Sequence, residues 1–249
     1  MNARETVTRF GLIALATDLT SERDIHDLLP RRGVAVHVAR VAYANPTSPE
    51  NLRAMAPQLT DAAALIAPGE PLAAICYSCT AASVVIGDAA VAAAIQAPRP
   101  GIPVVTPSSA ARMAFRALGA RRIAILTPYT IGTTEPVAAY FAGHGLELVA
   151  VHCLGLDDDR DMARVSGETI VRAALAVDSA GAEALFISCT GLPAVPVIAE
   201  IEARIGKPVV TSNQASAWAM ARLGGFADHD PGGCGRLFGR GLPGDGEAA

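Results

Sequence analysis

The chain has 249 residues, enough for one large domain or two small lobes; 51% are hydrophobic and only 4% aromatic, so its core must be built from Ala, Val, Ile and Leu. A formal net charge of −4, with no basic stripe interleaved with aromatics, argues against nucleic acid as a partner. No apolar run approaches the ~20 residues of a membrane span, the first residues carry charges rather than a leader-type apolar stretch, and an odd set of five cysteines points to free thiols in a reducing cytoplasm.

In chain order, apolar runs that read as strands fall near 9–16, 34–42, 72–77, 103–106, 122–127, 146–153, 184–188 and 208–211. They are continuous rather than alternating, as expected for parallel strands covered on both faces. Helices are expected between them. Ser21 with Asp24 is a weak capping signal, and Ser48-Pro49-Glu50 a strong one, with Pro57 dividing the helix that follows. Glu135-Pro136 and Ser166-Gly167-Glu168 mark two further helix starts, and Gly119 and Gly224 suit left-handed C-terminal positions. Strand–helix alternation predicts an α/β fold. Its two pseudo-symmetric, doubly wound lobes would span 1–119 and 120–224, each on a parallel four-stranded sheet, with a cleft between them. Residues 225–249 form a Gly-rich tail, expected to be partly mobile, in which the Cys234–Phe238 stretch can dock.

The two halves repeat each other. Ile13–Thr20 resembles Ile123–Thr130, and Ser78-Cys79-Thr80 matches Ser188-Cys189-Thr190, both at an offset of 110. Gly101–Thr106 resembles Gly206–Thr211 at an offset of 105. Three blocks in the same order indicate a duplicated α/β unit. Open α/β sheets bind ligands beyond the carboxyl ends of their strands. Four loops belong there: Thr17-Asp18, Ser78-Cys79-Thr80, Thr127-Pro128-Tyr129-Thr130 and Ser188-Cys189-Thr190-Gly191. Helices starting soon after each cysteine would favour a thiolate and bind a carboxylate.

A thiol pair at matched strand ends faces across one cleft and needs no cofactor. As a racemase, one thiolate removes the proton beside a carboxylate and the opposite thiol returns one. As a cis–trans isomerase, one thiolate adds to a double bond, rotation follows, and elimination gives the other geometry. Both need N–H groups and hydroxyls to hold the carboxylate as charge builds, a task that Thr80, Tyr129, Thr190 and Gly191 suit. Asp18 fits either a substrate contact or the cap of the next helix, and Tyr129 either a substrate contact or a wedge between lobes. Cys76 and Cys153 read as core and Cys234 has no assigned role. Cys76-Tyr77-Ser78-Cys79 is a lone C-x-x-C, so zinc or dithiol redox is disfavoured. Asp157-Asp158-Asp159 reads as a solvated turn and helix start, and the five histidines lack metal-ligand spacing, so no metal is expected.

These residues resemble the aspartate/glutamate racemase superfamily over nearly the whole chain, through Ser-Cys-Thr-Ala-Ala-Ser at 78–83 and Ser-Cys-Thr-Gly-Leu-Pro at 188–193. Leu126-Thr127-Pro128-Tyr129 and Leu154-Gly155-Leu156-Asp157-Asp158 are similar to its branch of maleate cis–trans isomerases and arylmalonate decarboxylases. Ala14–Arg23 with Ile75–Thr80 resembles the ectoine-utilisation protein A group of that branch, encoded with enzymes of ectoine and hydroxyectoine breakdown. The resemblance implies a nucleophilic Cys79, an acid/base Cys189, a Tyr129 contact to the substrate carboxylate, and carboxylate-binding loops at Ser78–Thr80 and Thr190–Gly191. It also implies a small carboxylate substrate and a homo-oligomer. Decarboxylases of the branch carry glycine at the position of Cys79 and a hydroxyl at that of Ala81, which favours isomerisation or racemisation here. Asp18 and Asp159 stand where maleate isomerases have substrate-binding asparagines. An ionised aspartate cannot donate to a carboxylate, so a substrate bearing an ammonium or amidinium group is expected. The alternatives are a decarboxylase using Cys189 alone and a non-catalytic binder of small acids.

Overall fold

A computed structural model describes residues 7–244. Residues 1–6, at the start of the segment read above for a leader signal, and 245–249 of the tail lie outside the described residues. All eight apolar runs are strands: β1 (Thr8–Leu15), β2 (Val34–Val41), β3 (Ala74–Tyr77), β4 (Val104–Val105), β5 (Arg122–Tyr129), β6 (Glu147–Leu156), β7 (Ala184–Ile187) and β8 (Val209–Thr211). They form two parallel four-stranded sheets of the same order, β2-β1-β3-β4 and β6-β5-β7-β8. The inner strands β1, β3, β5 and β7 are almost wholly buried, which is why their sequences run apolar without alternation. The edge strands β2 and β6 are mostly half-buried or exposed. Cys153, expected in the core, sits on β6 and is therefore only half-buried.

The helices are α1 (Ser21–Leu28), α2 (Pro49–Arg53), α3 (Leu59–Leu65), α4 (Thr80–Ile86), α5 (Asp88–Gln96), α6 (Pro107–Leu118), α7 (Ile131–Gly143), α8 (Asp159–Met162), α9 (Gly167–Val177), α10 (Ile198–Ile205) and α11 (Ser212–Leu223). Ser48 and Ser166 cap α2 and α9 as expected, and a short 3-10 turn over Ala56–Gln58 divides α2 from α3 at Pro57. Three expectations are corrected. Ser21 lies inside α1 rather than capping it. Helix α7 begins at Ile131, so Pro136 is interior. Gly119 is left-handed at φ 72°, but Gly224 is not, at φ −77°. The glycine at 224 answers a close approach instead: a Cβ there would run into the Phe10 ring.

Two helices interlock the halves. Helix α6 follows β4 of the first sheet yet packs on the second, where the Phe115 ring meets Phe186 of β7 edge-on at 5.9 Å. Helix α11 follows β8 of the second sheet yet packs on α1, α6 and β3. Thr106 and Thr211 start α6 and α11 with matching capping boxes. The tail from 225 docks through buried Leu237 and Phe238, and Trp218 Nε1 donates to the Arg240 carbonyl at 2.8 Å. No helix among the described residues is long and apolar enough to cross a membrane.

Candidate active site

The carboxyl ends of β1, β3, β5 and β7 converge on one small cavity. Its wall includes Asp18, Cys79, Tyr129, Asp159, Cys189, Thr190 and Gly191 from the predicted set. Tyr43, Thr47 and Ala81 and the apolar Leu15, Leu19, Leu52 and Met162 complete it. A water centre can roam over ≈ 30 Å³ of it, enough for about two ordered waters at the ~10–15 Å³ each requires.

The two cysteines reach this wall differently. Cys79 stands at the N-cap of α4 in extended backbone, where the first-turn amides point at it. No helix follows Cys189 directly, contrary to expectation; a bend over Thr190–Leu192 and a 3-10 turn over Val195–Val197 intervene, and α10 begins only at Ile198. Pro193 and Pro196 in that segment disfavour an earlier start. Cys189 instead adopts φ 102°, a left-handed conformation that L side chains rarely take. Each cysteine is 8% exposed. Burial pushes both thiols above the ordinary range, Cys79 strongly, with only the Ala82 amide working the other way on it. Cys189 rises less, to about 11, because the Tyr129 hydroxyl and the Gly191 and Leu192 amides favour its thiolate. Gly191 lies against this sulfur: a Cβ on it would sit 3.6 Å from Sγ. Cys189 is thus the more acidic of the two.

Not every predicted residue faces the cavity. Ala81, not Thr80, contributes to the wall; the Thr80 hydroxyl instead donates to Ser212 Oγ at 2.7 Å. Ser78 and Ser188 are buried and do not line the cavity; the Ser188 hydroxyl meets that of Tyr129, while the Ser78 hydroxyl lacks a hydrogen-bond partner. The Thr190 hydroxyl donates to the Ser78 carbonyl at 3.1 Å, joining the two cysteine loops. Tyr129 is the last residue of β5 rather than part of a loop, and is buried.

The carboxylates are held by neighbours as well as facing the cavity. Asp18 Oδ1 accepts the Thr20 and Ser21 amides at 2.7 and 2.8 Å, and Oδ2 accepts the Ser21 hydroxyl, so Asp18 does fasten the start of α1. Burial raises its pKa. Asp159 accepts from Thr17 Oγ1 and from Asn45 Nδ2, the latter at 2.7 Å. Asp158 caps α8 and pairs with Arg160, as a solvated turn would. Sequence reasoning missed Asn45, Tyr43 and Thr47, which sit on a loop after an edge strand with no local motif. It also missed Ser212 and Asn213, although a signal existed: they follow Thr211 at the end of the repeated block Gly206–Thr211. Among the described residues no group of three or more His, Cys, Asp or Glu is placed to hold a metal ion.

The family model for arylmalonate decarboxylase, Amdase, matches residues 56–238. This chain belongs to the Amdase family. It is 30% identical over 227 residues to the maleate isomerase of Nocardia farcinica, covering 87% of this chain and 90% of that one. It is 36% identical over 140 residues to the arylmalonate decarboxylase of Bordetella bronchiseptica, a match spanning 55% of this chain and 58% of that protein. A cysteine-to-serine variant of the Nocardia farcinica maleate cis–trans isomerase, carrying a covalently bound succinylcysteine intermediate, superposes with a TM-score of 0.85 over 93% of this chain and 98% of that one, at 27% identity. A liganded arylmalonate decarboxylase variant, with glycine-to-cysteine and cysteine-to-serine replacements, superposes with a TM-score of 0.84 over 93% of this chain and 99% of that one, at 29% identity. The Amdase family thus includes both kinds of enzyme, and this member carries cysteines at the ends of both β3 and β7.

Proposed function

We propose that this protein is a cofactor-independent isomerase or racemase that acts on a small carboxylate through Cys79 and Cys189. The observation that carries the reading is that both cysteines, from matched strand ends of the two halves, line one cavity. In the isomerase form the reactive state is the minor population in which Cys189 is ionised; its thiolate takes the Cys79 proton as the Cys79 sulfur bonds to one alkene carbon. The displaced electron pair moves to the neighbouring carbon, which accepts that proton from Cys189. The resulting single bond rotates. Cys189 then removes the proton, the carbon–sulfur bond breaks, and Cys79 recovers its proton. In the racemase form the same proton inventory serves: one sulfur removes the α-proton and the other delivers one to the opposite face. The amides around Cys189 and at the start of α4 hold the carboxylate as it takes up charge. Turnover in both Cys79→Ala and Cys189→Ala at the wild-type level would remove the reading; loss in each, with thermal unfolding still cooperative, supports it. A substrate screen by NMR in D₂O separates the routes by product: conversion between cis and trans alkenes marks the isomerase, and inverted configuration with deuterium at a saturated α-carbon marks the racemase. The panel is maleate, aspartate, glutamate, diaminobutyrate derivatives, ectoine and hydroxyectoine.

The wall also bears on the substrate. It contains no Lys, Arg or His, but two aspartates, Asp18 and Asp159. A second substrate carboxylate would face these acids, whereas an ammonium or amidinium group would be attracted. This supports an amino-acid or ectoine-type substrate over a plain dicarboxylate. Asp18→Asn and Asp159→Asn are expected to shift the kcat/KM ratio towards dicarboxylate by at least tenfold; an unchanged ratio rejects the assignment.

A decarboxylase using Cys189 alone is the second reading, favoured by the identity to the Bordetella enzyme and by the apolar wall of Leu15, Leu19, Leu52 and Met162. Release of CO₂ from an arylmalonate, undiminished in Cys79→Ala, would establish it.

A further inference from the structure

Helix α11 begins with two buried polar residues that the cavity does not use. Ser212 is 0% and Asn213 2% exposed. Ser212 Oγ accepts the Cys189 amide at 3.0 Å, and Asn213 Nδ2 donates to the Thr190 carbonyl at 2.9 Å. One residue therefore grips the N–H entering the left-handed Cys189, and the next grips the carbonyl leaving Thr190. Each has a second arm in the other half of the molecule. Ser212 Oγ also accepts the Thr80 hydroxyl at 2.7 Å, beside Cys79, and Asn213 Nδ2 also donates to Asp24 Oδ2 of α1 at 2.8 Å. Asp24 is itself buried, so neither arm is compensated by solvent.

We infer that Ser212 and Asn213 are positioning residues: they clamp the Cys189–Thr190 segment in its strained backbone and tie it to the Cys79 loop. A residue at φ 102° persists only where its surroundings over-determine it. Without Ser212 the Cys189 N–H is a buried donor with no acceptor. The loop then relaxes towards negative φ, and the sulfur leaves the Tyr129 hydroxyl and the Gly191 and Leu192 amides that favour its thiolate. Ser212 touches neither the cavity nor any reacting atom, so its effect travels through Cys189.

The inference rests on the cysteine-pair reading for its meaning in catalysis, but it is tested without a substrate. The measurement is the rate of iodoacetamide alkylation at Cys79 and Cys189 separately between about pH 7 and 9, where the fold is intact and the rate is proportional to the thiolate fraction that fixes the midpoint, resolved by peptide mass spectrometry on the full-length protein. Ser212→Ala and Asn213→Ala are each expected to raise the Cys189 midpoint by about one pH unit, a tenfold smaller thiolate fraction at a fixed pH below it. Ser212→Thr, which keeps the hydroxyl, is expected to restore most of the shift. Ser216→Ala is the control on the same helix; its hydroxyl donates to the Ser212 carbonyl and meets the Cys76 thiol, not the Cys189–Thr190 segment. Midpoints unchanged in both folded variants, or moved equally by Ser216→Ala, overturn the clamp. Should Ser212→Ala fail to fold, Asn213→Ala decides alone. Loss of the cysteine-pair reading shows differently: Cys79→Ala and Cys189→Ala would keep turnover while the midpoint shifts stood. Once a substrate is in hand, the clamp variants should lower kcat by roughly 10- to 100-fold with a smaller change in KM.

Discussion

Cys189 does two things that conflict. Its side chain must be reactive, and its backbone sits at φ 102°, where any Cβ is crowded. Strain of this kind costs on the order of 1–3 kcal/mol and is kept where geometry matters more than stability. The conflict can be measured. Cys189→Ala and Cys189→Gly both remove the thiol, but only glycine accepts the backbone without crowding. The glycine variant is therefore expected to unfold at a higher temperature than the alanine variant, by differential scanning calorimetry. Equal or reversed order would mean the conformation carries no strain. The neighbouring Tyr129 tests the chemistry instead. Its hydroxyl lowers the Cys189 thiol against the upward push of burial. A hydrogen bond to a charged group is worth about 1.5–3 kcal/mol. Tyr129→Phe should then raise the Cys189 alkylation midpoint by about one to two pH units, with the fold unchanged because the ring remains buried. A midpoint at the wild-type value would remove Tyr129 from the thiolate's support.

Among elements, the clearest consequence concerns α6. It leaves the first sheet, lies on the second, and drives Phe115 between Phe186 and Phe141, edge-on to both. Phe115→Ala should cost about 3–5 kcal/mol, the range for emptying an aromatic from a core, read as a lower urea midpoint in one cooperative transition. A loss below about 1 kcal/mol would mean that α6 is not a structural bridge. This exchange of helices was not readable in the sequence, whereas the strands were. A run such as Ala184–Ile187 declares a buried parallel strand by itself, and the repeat at offset 110 aligned Cys79 with Cys189. Local signals failed where a helix start was masked. Pro136 suggested a beginning, yet α7 already starts at Ile131 after Thr130. The helix expected after Cys189 is displaced by a segment rich in proline. Of the site, the residues on repeated strand ends were visible. Those brought in by distant loops, Asn45 and Thr47, or by the first turn of α11, Ser212 and Asn213, depend on pairings no short pattern carries.

At the scale of the molecule, bonds from opposite halves close over the cavity. Thr17 reaches Asp159, Thr20 reaches the Gly191 carbonyl at 2.8 Å, and the Thr47 amide reaches the Asp157 carbonyl at 2.6 Å. Closure shields Cys79 and Cys189 from bulk water, and Cys76 lies fully buried in β3. That burial sets a limit on alkaline stability. Burial pushes Cys76 up to about 12 and Cys189 to about 11 from an ordinary 9.0, and raises Cys79 beyond both. Below pH 9 all three are protonated whether the chain is folded or unfolded, so they contribute no pH dependence. Above pH 9 the unfolded chain releases these protons while the folded one retains them. The folded state then binds more protons, and stability falls as pH rises. Each retained proton costs about 1.4 kcal/mol per pH unit, so the three thiols together cost about 4 kcal/mol per unit above pH 9, and above pH 10 the phenols of Tyr43, Tyr77, Tyr129 and Tyr140, raised by burial in the same way, steepen the fall. Against the ~5–15 kcal/mol of a typical domain, this loss removes much of the stability by pH 11. Urea titrations from pH 8 to 11 would read this slope, and Cys76→Ala, whatever its absolute stability, should reduce it by about 1.4 kcal/mol per pH unit. A slope indifferent to Cys76 would mean that this thiol ionises in the folded protein, and that the interior around it is wetter than its burial indicates.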